Sequence, residues 1–198
     1  GSSENNGDYL TERRKEPVTD ISWYDALVWC NALSEYLDYD PVYRYNGEVI
    51  RNAQKENAVL NAVQVNQDGF RLPTAEEWEL AARYNEDGSW TPGNYASGST
   101  GPAYPPSDSK IPDPVAWYKL NSGGRTHEVG SKEPNDLGVY DMSGNVYEWC
   151  FSESESNHEQ KVVRGSCWSA YPMWLRIGFS RTFSAGHNST VIGLRLVK

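Results

Sequence analysis

The sequence predicts an α+β domain in which two short helices meet a few short strands, with much irregular chain between them. Three observations carry that prediction. Two N-terminal capping signatures, Ser22–Asp25 and Thr74–Glu77, each precede apolar residues at helical spacing. Short β-branched or alternating runs, such as Val162-Val163-Arg164 and Ile192 to Val197, read as strands. Seventeen glycines and eleven prolines in 198 residues, with little long helical periodicity, call for many turns. That length suits one sizeable core, so one domain is expected from residue 17 to 198.

Residues 1–16 form a polar N-terminal tail, and Gly1-Ser2 looks like a cloning scar. Pro17 to Trp23 is an extended lead-in. Ser22 then caps a helix whose buried stripe is Trp23, Ala26, Leu27, Cys30, Leu33 and Leu37. Between Asp40 and Val65 short strands are expected, with Val42 to Tyr45 before a turn at Gly47. Gly69 to Pro73 is extended, and Thr74 with Glu77 starts the second helix. Trp78, Ala81, Ala82 and Tyr84 line its inner face, and Gly88 ends it. From Asp87 to Asp113 glycine, proline, serine and threonine dominate, which predicts a long irregular excursion. Val115 to Tyr118 and His127 to Gly130 are candidate strands. Asp136 to Cys150 alternates turn residues with aromatics and ends in the strand-like Val146-Tyr147-Glu148-Trp149, and Ser152 to Lys161 is expected to be a charged loop.

The formal net charge of −9 weighs against a nucleic-acid partner, because phosphate binding rests on clustered Lys and Arg. No apolar run approaches the length of a membrane span. Cys30, Cys150 and Cys167 are an odd number without metal-ligand spacing, so at most one disulfide can form and at least one thiol is left over.

Between Ser166 and Thr190 neither a 2.0 nor a 3.6 period holds. Trp168, Tyr171, Met173, Trp174, Phe179 and Phe183 are interleaved with serines, threonines, His187 and Asn188. Large rings mixed with small hydrogen-bonding residues make up the composition of a recognition surface, since rings give contact area at low entropic cost. The alternative is a β-rich core segment whose aromatics are buried.

Five stretches together carry a resemblance: ISWYDALVWCNALS from Ile21, GFRLPTAEEWELAAR from Gly69, DLGVYDMSGNVYEW from Asp136, VVRGSCW from Val162 and IGLR from Ile192. In this order they resemble the formylglycine-generating-enzyme (sulfatase-modifying-factor) family, a large variant of the C-type lectin fold. The resemblance implies two helices packed on a twisted, mostly antiparallel sheet with much irregular chain. It also implies a copper-dependent oxidase that uses two cysteines against a substrate protein cysteine. Here those two positions fall on Ser169 and Trp174, which cannot be thiolates. The related iron-dependent branch uses clustered histidines, whereas His127, His158 and His187 are dispersed.

A narrower resemblance is to the variable proteins of diversity-generating retroelements, of the type found in Treponema. It implies a non-catalytic display protein whose region 166–190 binds a macromolecular or cell-surface ligand, the alternative function being the copper oxidase. The contacts it implies are Ser169, Tyr171, Pro172, Met173, Trp174, Phe179, Thr182, Phe183, Ser184, His187 and Asn188. Trp168, Arg176, Arg181, Gly193 and Arg195 would be framework. A cell-surface or extracellular location is implied too, with a lipid anchor upstream of Gly1. No cofactor is required, but family members hold a structural calcium. Here that would engage Asp141, the carbonyls of Gly144 and Val146, and Glu148. The alternative is that Asp141 caps a turn and Glu148 pairs with Arg164 or Arg195. Glu133-Pro134-Asn135, the one echo of a lectin sugar motif, is better read as a turn.

Overall fold

Both capping boxes form. In the computed structural model, which describes residues 15–54, 63–64, 68–103, 110–154 and 157–198, helix α1 spans Trp23–Tyr36. The Asp25 amide donates to Ser22 Oγ at 3.1 Å, and the Ser22 amide donates to Asp25 Oδ2 at 2.9 Å. Helix α2 spans Ala75–Arg83, with the same reciprocal pair between Thr74 and Glu77 at 3.2 and 2.9 Å. Arg71 grips the outer end of that box, and its hydrogen bonds hold the Glu77 carboxyl below the usual carboxylate range.

The strands are β1 (Tyr43–Tyr45), β2 (Glu48–Val49), β3 (Val63–Gln64), β4 (Tyr147–Ser154), β5 (Asn157–Arg164), β6 (Arg181–Ser184) and β7 (Ile192–Leu194). They make an antiparallel sheet in the order β2-β1-β3 and a four-stranded sheet in the order β6-β5-β4-β7, where only β4 and β7 run parallel. The chain gathers into two compact units. Among the described residues, the first takes 15–18, 80–103, 110–146 and 165–179; the second takes 19–54, 63–64, 68–79, 147–154, 157–164 and 180–198.

In the second unit three indoles hold β4. Trp23 Nε1 donates to Cys150 O at 2.9 Å, Trp149 Nε1 to Ile21 O at 3.1 Å, and Trp78 Nε1 to Glu148 Oε2 at 2.6 Å. A large ring can be buried here because its one polar atom finds an acceptor. Phe151 stacks with both Trp23 and Tyr43, at 5.8 and 5.2 Å. The α1 stripe departs from expectation in its last turn: Leu33 is half-buried and Leu37 exposed. Asn31 and Ser34 face inward instead. Their polar groups bind main chain that would otherwise be orphaned. Asn31 Nδ2 donates to the carbonyls of Tyr43 and Ile50, its Oδ1 accepts from the Tyr43 amide, and Ser34 Oγ accepts from the Phe70 amide. On α2, Trp78 and Ala82 are buried as expected, while Tyr84 is exposed.

Three strand expectations change. The expected charged loop Ser152 to Lys161 supplies the facing ends of β4 and β5, where Glu153 lies opposite Lys161. An ion pair across the ladder and the ring of Trp23, 4.5 Å from Lys161 Nζ, replace the apolar alternation that marks most strands. Val115 to Tyr118 is not a strand. Val115, Ala116 and Tyr118 are buried in the first unit with Ala96, Ala103 and Leu175, so the apolar run reports packing and not pairing. His127 to Gly130 is not a strand either: the His127 amide donates to Asn145 Oδ1, and the Gly130 amide to Asp141 Oδ2. Side chains there take the place of a partner strand.

Candidate functional site

The first unit holds residues 165–179 of the C-terminal segment. A short 3₁₀ turn, Pro172–Trp174, lies within it, with Pro at its first position. Pro172, Leu175 and Ile177 are buried, and Leu175 O accepts from Ser143 Oγ at 2.9 Å. These anchors decide what faces water. Tyr171, the extended residue just before the turn, and Trp174, its last residue, are both exposed. Met173, Arg176 and Phe179 are half-buried, and Ser169 is exposed. The Trp174 and Phe179 rings meet at 4.7 Å, with the Arg176 guanidinium 5.5 Å from each. Lys119 Nζ donates to the Tyr171 hydroxyl at 2.9 Å.

The second unit holds residues 180–198. Among the described residues strand β6 is a sheet edge, and it is short and bears Arg181, as protected edges are. Thr182, Ser184, His187 and Asn188 are exposed. Phe183 points the other way, packing edge-on against Trp149 and Tyr147 at 6.4 Å and stacking with His187 at 4.8 Å. Of the eleven contacts expected from sequence, Pro172 is buried and Phe183 packs inward; the other nine are exposed or half-buried. Alternation along β6 predicts the inward turn of Phe183, had the strand been recognised.

The expected calcium ligands Glu148 and Asp141 are each hydrogen-bonded to protein partners within their own unit. Glu148, in the second, makes the ion pair named as its alternative. It is buried, and Arg195 donates to its two oxygens at 2.8 and 2.9 Å, while Trp78 adds a third hydrogen bond. In the first unit Asp141 Oδ2 accepts from the Gly130 amide at 2.7 Å, the contact of a turn cap. Asn135, from the lectin-like tripeptide, spends its side chain on Ala81 O, Ser97 Oγ and the amides of Leu137 and Val139, so it is a structural turn.

None of the three cysteines forms a disulfide, and all are buried. Burial pushes the Cys30 thiol up to about 12 and raises that of Cys150 further, the opposite of what a thiolate ligand needs. Cys167 Sγ sits 3.3 Å from Ser169 Oγ. Among the described residues no group of three or more His, Cys, Asp or Glu side chains is placed to hold a metal ion. No described helix is long and apolar enough to cross a membrane.

Sequence reasoning missed Asn145. It is buried in a left-handed conformation and pairs twice with the His127 backbone, its amide donates to Trp117 O at 2.8 Å, and its carbonyl accepts from the Trp168 amide at 2.8 Å. It ties down the start of the C-terminal segment. The signal was the Gly144-Asn145 pair, which favours positive φ.

Residues 2–198 match the sulfatase-modifying factor enzyme 1-like domain. The chaperone protein LppX of Paenibacillus barcinonensis is 31% identical over 210 residues, covering 93% of this chain and 70% of that protein. The inactive C-alpha-formylglycine-generating enzyme 2 of Bos taurus is 27% identical over 173 residues, covering 82% of this chain and 42% of that protein. Among solved structures, Treponema denticola variable protein 1 superposes with a TM-score of 0.73 at 29% identity, covering 92% of this chain and 70% of that one.

Proposed function

This chain belongs to the sulfatase-modifying factor enzyme 1-like domain family and has the formylglycine-generating-enzyme type of C-type lectin fold, and from that premise we propose that it is a non-catalytic binding protein. Its C-terminal region, residues 166–190, is the ligand-recognition region on a stable scaffold. The observation that carries this is the sorting of side chains between 169 and 188: Pro172, Leu175, Ile177, Phe183 and Ala185 pack inward, while the other rings and the small polar residues stay at least partly open to water. Substitution at such exposed positions typically costs within about 0.5 kcal/mol, so recognition residues can change without loss of the fold. Similarity to a variable protein and to an enzyme named as inactive supports the same reading.

The oxidase reading is weaker because Ser169 and Trp174 occupy the positions expected for the two reactive cysteines. The test is a displayed library randomised at Ser169, Tyr171, Met173, Trp174, Phe179, Thr182, Ser184, His187 and Asn188, panned against one purified protein. Most members are expected to display as folded protein, and specific binders to emerge. A library that yields no folded members, or copper-dependent oxygen consumption by the parent chain that disappears in Cys167→Ser, would refute the proposal.

A further inference from the structure

Charge is distributed unevenly in this acidic chain. From Gln160 to Lys198 there is no aspartate or glutamate, although the whole chain carries 27. Every fixed charge in the recognition region is therefore positive. In the first unit Arg176, and Lys119 from outside the region, each lie against exposed or half-buried rings of this segment. Arg176 lies within cation–π range of both Trp174 and Phe179, and Lys119 sits 4.1 Å from the Tyr171 ring centre. Among the described residues the Arg176 fork makes one hydrogen bond, from Nη1 to Met173 O at 3.2 Å, and its remaining donors carry none.

We propose that the cluster of Tyr171, Trp174, Arg176, Phe179 and Lys119 recognises an acidic segment of a partner protein, with a carboxylate seated on the Arg176 fork. This rests on the binding role proposed above and names the chemistry of the partner. A guanidinium fork matches a carboxylate in two parallel hydrogen bonds. The neighbouring rings prearrange it by holding the side chain in place before the partner arrives, which reduces the ordering cost of binding. Tyr, Trp and Arg are also the residues that dominate protein–protein hot spots. A sugar would need a ring face open for stacking. Trp174 is instead occupied by Phe179, tilted at 45°, and by Arg176, so the observations favour a peptide over an acidic glycan.

The experiment is fluorescence anisotropy of labelled hexaglutamate against the full chain at low salt, with a labelled oligogalacturonate in parallel. The proposal expects saturable hexaglutamate binding that weakens with salt. It also expects a loss of about tenfold or more in Arg176→Gln, the fold-change for losing a charged hydrogen-bond pair. Arg125→Gln, an exposed arginine outside the cluster, should leave binding unchanged. Circular dichroism checks that each variant is folded. No binding by the folded parent, equal binding by Arg176→Gln, or Arg176-dependent preference for the oligogalacturonate would each overturn the acidic-peptide assignment. None of these affects the library result, so failure here and failure of the binding role are distinguishable.

Discussion

Glu148→Ala is expected to lower the free energy of unfolding by about 3–5 kcal/mol, the usual cost of removing one partner of a buried ion pair. The carboxylate is the acceptor for three hydrogen bonds, from Arg195 Nε, Arg195 Nη2 and Trp78 Nε1, at 2.9, 2.8 and 2.6 Å. Its truncation strips the buried Trp78 indole of this acceptor and removes the carboxylate that Arg195 grips with two donors. The Arg195 side chain keeps a quarter of its surface in water, so some of the lost interaction is recovered from solvent and the lower end of the range is expected. Glu148→Gln retains an acceptor but no charge and should fall between parent and alanine. Urea denaturation measures all three. The order should be the same with calcium or with a chelator present, because the partner in the structure is a guanidinium. A parent whose stability rises sharply with calcium would show that the ion, and not Arg195, is the partner that matters.

Gly144→Ala is the second large effect, on the order of 3 kcal/mol, from adding a crowded methyl group at a left-handed position. Gly144 has φ +82°, and an added Cβ would lie 2.3 Å from Trp117 O. The backbone cannot step aside cheaply. The Gly144 amide donates to Gly165 O at 2.7 Å, and the next amide, of Asn145, donates to that same Trp117 carbonyl at 2.8 Å. Gly88 supplies the control, since it has φ +83° with nothing within 4 Å of an added Cβ. Gly88→Ala should cost about 1 kcal/mol, the conformational part alone. The difference between the two in one denaturation series isolates the close approach. Equal costs would show that the contact with Trp117 relaxes freely.

Features whose cause is local were legible in the sequence. Both helix starts are set by hydroxyl and carboxylate side chains three residues apart, and both formed where Ser22 and Thr74 placed them. The helix end was less legible. Leu37 continues the apolar period, but the chain turns at Asp38, which is left-handed with φ 64°. Inward-facing Asn31 and Ser34 are polar, and their value appears only once β1 and the chain at Phe70 are in place. The β4–β5 hairpin was hidden because its outer half is charged. Conversely, Val115 to Tyr118 resembles a strand for want of any local sign that its burial comes from a cluster.

The recognition region was legible as composition but not as orientation. Mixed rings and small polar residues marked it, while only the packing of β6 shows that Phe183 faces Trp149 and Tyr147. Arg176 and Arg181 were expected as framework, yet each lies against a display-region ring: Arg176 against Trp174 and Phe179, and Arg181 against Phe183. The two roles are compatible, because a cation that orders its neighbours can also meet a ligand.

The central claim is that these exposed residues serve recognition and do not hold the fold. The most direct measurement is the thermal midpoint of a variant with Tyr171, Trp174, Thr182, His187 and Asn188 all replaced by serine, beside Phe183→Ala. The account predicts that the multiple variant unfolds cooperatively within about 5 °C of the parent, since exposed sites each contribute little. Phe183→Ala alone should fall further, because its ring packs between the strand and its neighbours. A multiple variant that loses cooperative unfolding while Phe183→Ala is unaffected would contradict the account.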